Sequence, residues 1–439
     1  MTTRRDDDRP GPPTGPVPAT AEQIRWWEPR DDAVVLSRSE VQVDLIVAAF
    51  RDAEVPLAVH RDESGAADYM YHPGRVLTRD EDASRVYRVL GIDAPPEKGD
   101  RETPVQPAGF HVVLLPPGRD ALSAIDDLDA RLGVGVAVPD HLLHVCPAVT
   151  WCAVTEPTPA DLDEPIGQDD DVADGRRSRV SVVDTGLLEE VVAAHDWLAG
   201  VEGDPEPPFV GHYTGHGTFI AGVVRAHAPR AEVRVESAMS IGGASFESDL
   251  LAQLTQALDW VPDVISLSAG TRTRGNLPLL SLQVFWEQRL QHLKGTVLVA
   301  AAGNDGDRGP FWPAAFPWAV SVGALDDPPE SRAGFSNFGS WVDVFAIGTN
   351  VVNAYPTQRY DYREPPRVGE SAEFPEGLAE WSGTSFAAPM VAGLVAARMT
   401  WSGESGVDAA DSLLEIARDQ AIPGVGAALL RDRDARPPY

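Results

Sequence analysis

Residues 179–186 read RVSVVDTG, a β-branched apolar run that closes on Asp-Thr-Gly. Apolar helical stretches such as DLLAQLTQALDWV (249–261) separate it from later runs of the same kind. Those runs are AEVRVESAM (231–239), VISLSAG (264–270), GTVLVAAAGN (295–304) and WAVSVGAL (318–325). Buried strands that alternate with helices predict an α/β fold, a doubly wound, mostly parallel sheet with helices on both faces.

Two of these runs end in polar side chains that can do chemistry. Asp184 closes the first run, and Asn304 closes the run GTVLVAAAGN. In doubly wound sheets the functional residues gather at the carboxyl ends of the strands, so we expect both side chains at one edge. A side-chain amide at such an edge can donate a hydrogen bond to a developing oxyanion.

Two further motifs place a reactive side chain at the start of an apolar helix. His216 lies in GHGT (215–218) before FIAGVV, and Ser385 lies in GTSFAAP (383–389) before MVAGLVAARM. Small neighbours leave the serine oxygen uncrowded. Each motif alone also has a structural explanation, since Ser is a common helix N-cap and Asp a common strand end.

Taken together, in the order Asp184, His216, Asn304 and Ser385, the four segments resemble those of the subtilisin-like (S8) serine peptidases. The resemblance covers about half of the chain, residues 179–398. It implies a serine endopeptidase that works through an acyl-enzyme intermediate. Ser385 would attack the scissile carbonyl, His216 would carry the proton and Asp184 would orient His216. The Asn304 amide and the Ser385 backbone N–H would hold the oxyanion.

The resemblance also indicates where a substrate binds. Ser268-Ala269-Gly270 is similar to the edge segment on which an extended polypeptide substrate adds a strand. With this segment, Ala301-Ala302-Gly303 would line the pocket for the side chain that precedes the cut. Asp305 would favour a basic side chain there, while Phe311 and Trp312 would make the pocket shallow.

Two segments depart from the family pattern. RAHAPRAEVRV (225–235) passes directly from the histidine helix to the next strand, without the usual calcium loop, so we expect no metal or other cofactor. The stretch 354–380 before the nucleophile motif is long. Its Tyr355, Tyr360 and Tyr362 would either line the leaving-group side of the cleft or act as a lid, or belong to an irregular hairpin.

Composition shifts divide the chain into four parts. Residues 1–32, rich in Pro, Arg and Asp, predict a disordered segment, and residues 156–178 predict an acidic linker. Residues 33–155 form an N-terminal α/β region with a helix at 41–50, a polar stretch from 62 to 107 and then strand, helix and strand. This region is either a removable propeptide or a permanent regulatory domain that inhibits the enzyme intramolecularly. The peptidase domain follows at 179–439.

Charge and cysteine content exclude several functions. The net charge is −31, which disfavours binding to nucleic acid or anionic membranes. The only cysteines are Cys146 and Cys152, which fits a reducing compartment. With no apolar signal core in the first twenty residues, we expect a cytoplasmic processing protease. The alternative is a catalytically silent scaffold of the same fold.

Overall fold

The computed structural model describes residues 32–93, 109–145, 156–161, 177–364 and 367–430. Residues 1–31 of the segment predicted to be disordered lie outside these ranges, as do Cys146 and Cys152. None of the described helices is long and apolar enough to cross a membrane.

The N-terminal part is an antiparallel sheet packed against helices, as the predicted α/β region requires. Strand β2 is central and pairs with β1, β3 and β4. The elements are α1 (Asp32–Asp52), β1 (Ala58–Arg61), β2 (Ala67–Arg79), α2 (Asp80–Leu90), β3 (Phe110–Leu114), α3 (Ala121–Leu132) and β4 (Ala137–Val145).

Helix α2 and strand β2 occupy the stretch 62–107 that the sequence predicted only as polar. In β2 the pairing with β4 shifts between Tyr71 and Val76, around Pro73-Gly74, which breaks the alternation that would reveal a strand. Helix α2 has three acidic residues in its first turn, where the helix dipole favours them, and ends at Gly91 in the left-handed conformation.

The peptidase part contains the larger sheet. Its strands and short ladders are β5 (Thr158–Pro159), β6 (Arg179–Asp184), β7 (Glu202–Gly203), β8 (Glu232–Ser237), β9 (Ala244–Phe246), β10 (Val264–Leu267), β11 (Ala269–Gly270), β12 (Val297–Ala301), β13 (Ala319–Leu325), β14 (Val344–Ile347), β15 (Val351–Ala354), β16 (Arg359–Asp361), β17 (Ser371–Glu373) and β18 (Leu378–Trp381). Its helices are α4 (Glu189–Ala194), α5 (His216–His227), α6 (Glu247–Ala257), α7 (Leu280–Gln288), α8 (Thr384–Ser402) and α9 (Gly406–Asp419).

Seven strands form a parallel sheet in the order β14-β13-β12-β10-β6-β8-β7. Helices α5, α8 and α9 cover one face, and α6 and α7 cover the other. Strands β6, β10, β12 and β13 are buried on both faces, which explains their continuous apolar runs. The predicted doubly wound α/β fold is therefore confirmed, and the carboxyl ends of β6 and β12 lie at one edge.

The N-terminal sheet continues into the peptidase part through β4. This strand pairs antiparallel with β11 on one side and with β9 on the other. Residues Leu143 and Val145 of β4 join the same apolar cluster as α6 and α7. The two parts therefore share one core.

The predicted start of the solvated linker, at residue 156, is too early in the sequence. Residues 162–176 lie outside the described ranges, but 156–161 pack on the peptidase part. Thr158 and Pro159 pair with Glu380 and Ala379 of β18. Glu156 is 5% exposed, because backbone N–H groups hold its carboxylate. Nothing in the local sequence signals that partner, which lies more than 200 residues away.

We expect Gly323→Ala to destabilise the protein. A Cβ at this position in β13 would lie 2.3 Å from Cε1 of Phe345 in the neighbouring strand, inside a close-packed sheet. Such overpacking reduces the free energy of unfolding by about 1–3 kcal/mol. Chemical denaturation measures the change. Gly295→Ala is the matched control, because its Cβ would meet only an ordinary contact at 3.6 Å; equal effects of the two variants would contradict the steric argument.

Candidate active site

Asp184 and His216 meet at the edge of the parallel sheet. Asp184 is the last residue of β6 and His216 the first of α5, and both are buried. The Nδ1 of His216 lies 2.7 Å from Oδ1 of Asp184, which also accepts the backbone N–H of Thr185 at 2.8 Å. Gly215, in the left-handed conformation, lets the chain enter α5 against Pro356. The bond fixes the tautomer with the proton on Nδ1 and leaves Nε2 as the base.

Aromatic rings fix the orientation of His216. Trp381 lies edge-on with its ring centroid 5.4 Å away, and Phe386 lies tilted at 5.6 Å. Phe219, one turn into α5, packs on both of these rings. Because Trp381 and Phe386 lie on either side of Ser385 in the sequence, these contacts bring the histidine helix α5 against the start of α8.

Ser385 lies in the first turn of α8, next to Ser268. Its Oγ donates to the carbonyl oxygen of Ser268 at 3.3 Å, and the Ser268 hydroxyl donates to the carbonyl of Ser385 at 2.8 Å. His216 and Ser385 are packed through Phe386 but form no direct hydrogen bond between these two described residues. Such bonds are often long in structures without substrate and tighten in the complex.

Asn304 is oriented by Thr384, the neighbour of the serine. Its Oδ1 accepts the Thr384 backbone N–H at 2.8 Å and the Thr384 hydroxyl at 2.9 Å. Since a backbone N–H only donates, the atom facing it must be the oxygen, and the amide nitrogen points the other way. A Cβ built on Gly383 would lie 3.4 Å from that nitrogen. The amide thus lies beside the backbone of the nucleophile motif, where an oxyanion donor is needed.

The predicted pocket segments lie beside the serine motif. Ala301 and Ala302 are buried at the end of β12, and the N–H of Gly303 donates to the Thr384 hydroxyl at 3.1 Å. The ring of Phe311 lies against both Gly270 and Gly303, within 3 Å of the position of a Cβ on either. Phe311 therefore fills the space between the two glycines.

The expectation that Asp305 favours a basic side chain is not supported. Its carboxylate lies 3.6 Å from the Arg272 guanidinium, so its charge is already compensated within the protein. The prediction of a tyrosine lid at 354–380 is wrong. Tyr355, Tyr360 and Tyr362 are buried in the core, and β16 and β17 form the alternative hairpin.

The edge predicted to bind substrate carries the protein's own strand β4. Val145 pairs with Ala269 and His144 with Gly270, while the Val145 N–H donates to Gly243 at 2.8 Å on the opposite side. From His144 to Val145 the partner moves from Gly270 towards Ser268. Strand β4 therefore runs towards Ser385, along the edge where the sequence predicts that a substrate strand binds.

The sequence model of the subtilase family matches residues 175–409. The chain belongs to the subtilase family. Thermitase from Thermoactinomyces vulgaris is 33% identical over 242 residues, 51% of this chain and 75% of thermitase. The thermophilic serine proteinase of Bacillus sp. (strain AK1) is 30% identical over 264 residues, but the match spans only 57% of its length. The peptidase domain is that of a serine endopeptidase.

The fold of this subtilase resembles that of fervidolysin from Fervidobacterium pennivorans, a keratinolytic enzyme related to subtilisin. The TM-score is 0.54 at 19% identity, over 82% of this chain and 60% of fervidolysin. The part of this chain that aligns with fervidolysin is longer than the part that the family model matches, so the likeness in fold extends into the N-terminal part.

Sequence reasoning missed a buried polar interface between the two parts of this subtilase. Asp140 of β4 accepts the N–H and hydroxyl of Ser248, at 3.1 and 2.7 Å, and so caps the start of α6. Arg75 lies 3.2 Å from the same carboxylate. A helix N-terminus stabilises a carboxylate. Even so, burial and the nearby carboxylate of Glu247 raise the pKa of Asp140 to about 7.

A second buried pair lies beside it. The Nε2 of His141 accepts the backbone N–H of Arg274 at 3.1 Å, so the ring carries its proton on Nδ1. That Nδ1–H donates to Glu247 at 2.9 Å, and the other oxygen of Glu247 caps α7 through Ser281. Only the two acidic residues in the first turn of α6, Glu247 and Asp249, hint at this network in the sequence.

We expect Asp140→Asn to change how stability depends on pH. The pKa of Asp140 in the folded state lies above its usual value of 3.8, so its stabilising contribution is present at low pH and lost as pH rises to about 7. Relative to wild type, the variant should gain on the order of 1–4 kcal/mol between pH 4 and 8. Denaturation at each pH measures this, with the exposed Asp93→Asn as control. A pH-independent difference would contradict the titration of Asp140.

Proposed function

We propose that this subtilase is an endopeptidase that uses Ser385 as nucleophile, His216 as general base and acid, Asp184 to orient His216, and Asn304 with the Ser385 N–H as oxyanion donors. The observation that carries the proposal is the 2.7 Å bond between His216 and Asp184, at the edge where the other two residues meet. All four positions hold the residue type that the chemistry needs, which disfavours a silent scaffold.

The enzyme is held inactive by its own N-terminal part. Strand β4 takes the place of substrate on Ala269–Gly270, with backbone hydrogen bonds on both of its sides. Helix α1 supports it, since Ile46 and Phe50 pack with Leu142 and Phe246. A substrate strand cannot pair with the same backbone groups until β4 leaves.

The chain is fixed again after β4. The carboxylate of Glu156 accepts the N–H groups of Arg363 and Glu364, at 2.8 and 3.3 Å, and lies 2.9 Å from Nε2 of His212. Strand β5 then pairs with β18, which leads directly to Ser385. Anchors on both sides of residues 146–155 would hold the N-terminal part in place even if the chain were cut between them.

Such an arrangement favours a processing protease over a general degradative enzyme. A cleft closed by a buried, hydrogen-bonded strand opens only when a specific event weakens the interface, which restricts activity to few substrates. Its substrates are polypeptides bound in extended form, with a small side chain before the cut because Phe311 fills the pocket between Gly270 and Gly303.

We propose the cytoplasm as the location of the protein, because a chain with only two cysteines fits a reducing compartment. Fractionation of cells that express a tagged chain tests this location.

We predict that Leu143→Asp activates the enzyme. Leu143 is buried in the core shared by the two parts, and an ionised carboxylate there is strongly disfavoured. Strand β4 should leave the cleft, and cleavage of a fluorogenic peptide library should rise about tenfold or more. Leu114→Asp is the control, because Leu114 is 68% exposed in the same N-terminal sheet. An unchanged rate in a folded Leu143→Asp protein would refute the inhibitory role of β4.

We predict that Ser385→Ala abolishes peptide cleavage. Without the hydroxyl no acyl-enzyme can form, and the rate should fall by about 10⁴-fold or more. The substitution is best tested in the Leu143→Asp chain, where inhibition by β4 cannot mask the result. Covalent labelling by a fluorophosphonate, read by intact mass, should appear in Leu143→Asp and vanish in the double variant. Equal labelling of both would exclude Ser385 as the nucleophile.

A further inference from the structure

Glu206 is a half-buried carboxylate beside the catalytic pair that the proposed mechanism does not use. It lies between β7 and the short helical turn Gly211–Tyr213, in the loop that precedes the histidine motif. Its backbone is fixed against the end of β6, because its N–H donates to Leu187 at 3.0 Å. A Cβ on Gly186 would lie 2.7 Å from Cα of Glu206, so the backbones of these two segments are in contact.

The side chain of Glu206 links the two segments that carry Asp184 and His216. Its Oε2 accepts the Thr185 hydroxyl at 3.0 Å and the backbone N–H of Gly215 at 2.9 Å. The Thr185 oxygen in turn accepts the N–H of Gly217 at 2.9 Å. One carboxylate oxygen therefore holds the residue after Asp184 and the residue before His216.

We propose that Glu206 is a positioning residue for the catalytic pair, which fixes the His216 helix against Asp184 and adds a second negative charge behind the imidazole. The inference rests on the proposed function, because it assigns Glu206 a part in the same proton transfer. It adds to the triad a fourth residue, a second acidic group that touches neither substrate nor Nε2.

The groups around Glu206 define when that charge is present. Asp184 faces it from β6, and Tyr355 faces it from the segment after β15, together with the hydroxyls of Thr185 and Thr214. Burial raises the pKa of Glu206 to about 7, and the charge of Asp184 acts in the same direction. Burial also raises the pKa of Tyr355, so this ring stays neutral. Glu206 is thus neutral in mildly acidic solution and charged above neutrality.

The charge acts on the step in which His216 becomes an imidazolium. Two carboxylates near the ring stabilise its positive charge more than Asp184 alone, and the effect exists only where Glu206 is ionised. Both hydrogen bonds to Oε2 form in either protonation state, because an uncharged carbonyl oxygen also accepts them. Position and charge can therefore be separated by substitution.

The test compares Glu206→Gln and Glu206→Ala in the Leu143→Asp chain. The glutamine keeps an oxygen that accepts both hydrogen bonds but lacks the charge. We expect kcat to fall about three- to tenfold at pH 8.5, with KM unchanged, and to match the parent at pH 5.5. Alanine should lower kcat at every pH. The exposed Glu202→Gln, in the preceding strand β7, should follow the parent at both pH values. A glutamine effect that is equal at all pH values, or confined to KM, would overturn the proposal.

A second measurement holds even if the proposed function fails. In the full-length Ser385→Ala protein, the Nδ1 proton of His216 should give a low-field NMR signal, because it lies in the 2.7 Å bond to Asp184. We expect this signal to shift with a transition near pH 7, and Glu206→Gln to remove that transition. Persistence of the transition in Glu206→Gln would refute the role of Glu206, whereas a lack of peptide cleavage in the parent would refute only the peptidase assignment.

Discussion

The hydrogen bond between His216 and Asp184 depends on one property of the fold, the meeting of strand ends and helix starts at one edge of a parallel sheet. Strand β6 delivers Asp184 to this edge, and α5 and α8 begin there with His216 and Ser385. Parallel strands all present their carboxyl ends on the same side, so residues far apart in sequence become neighbours. The aromatic contacts of Trp381 and Phe386 then fix the ring that the bond has oriented.

The same edge explains how the N-terminal part is held against the site. Ala269 and Gly270 present edge backbone groups next to Ser268, which contacts Ser385, and an extended chain can pair with such groups. Strand β4 does so within the molecule, and its Asp140 and His141 reach the starts of α6 and α7 at the same time. The contact of β4 with this edge is thereby coupled to buried polar groups, which are costly to separate because each would lose its partner.

Sequence patterns predicted those features that depend on neighbours along the chain. The strand runs, the glycines around His216 and the small residues around Ser385 are local, and their order indicated the family. The elements within 62–107 were not predicted because the irregular pairing of β2 around Pro73-Gly74 interrupts the alternation of apolar and polar residues. The prediction for the tyrosines of 354–380 was wrong because an aromatic residue gives the same sequence pattern in the core of a hairpin as at the rim of a cleft.

The sequence by itself determined the fold class, the family and the candidate catalytic residues, since periodicity and motif order are written in consecutive residues. Only the tertiary structure decided that β4 pairs with Ala269 and Gly270, that Glu156 is held by the hairpin segment and that Phe311 fills the space between Gly270 and Gly303. It also decided that Glu206 joins Thr185 and Gly215, the chain neighbours of Asp184 and His216. Each of these features depends on backbone groups or ring faces that become neighbours only when the chain folds, and such groups carry no signature in sequence.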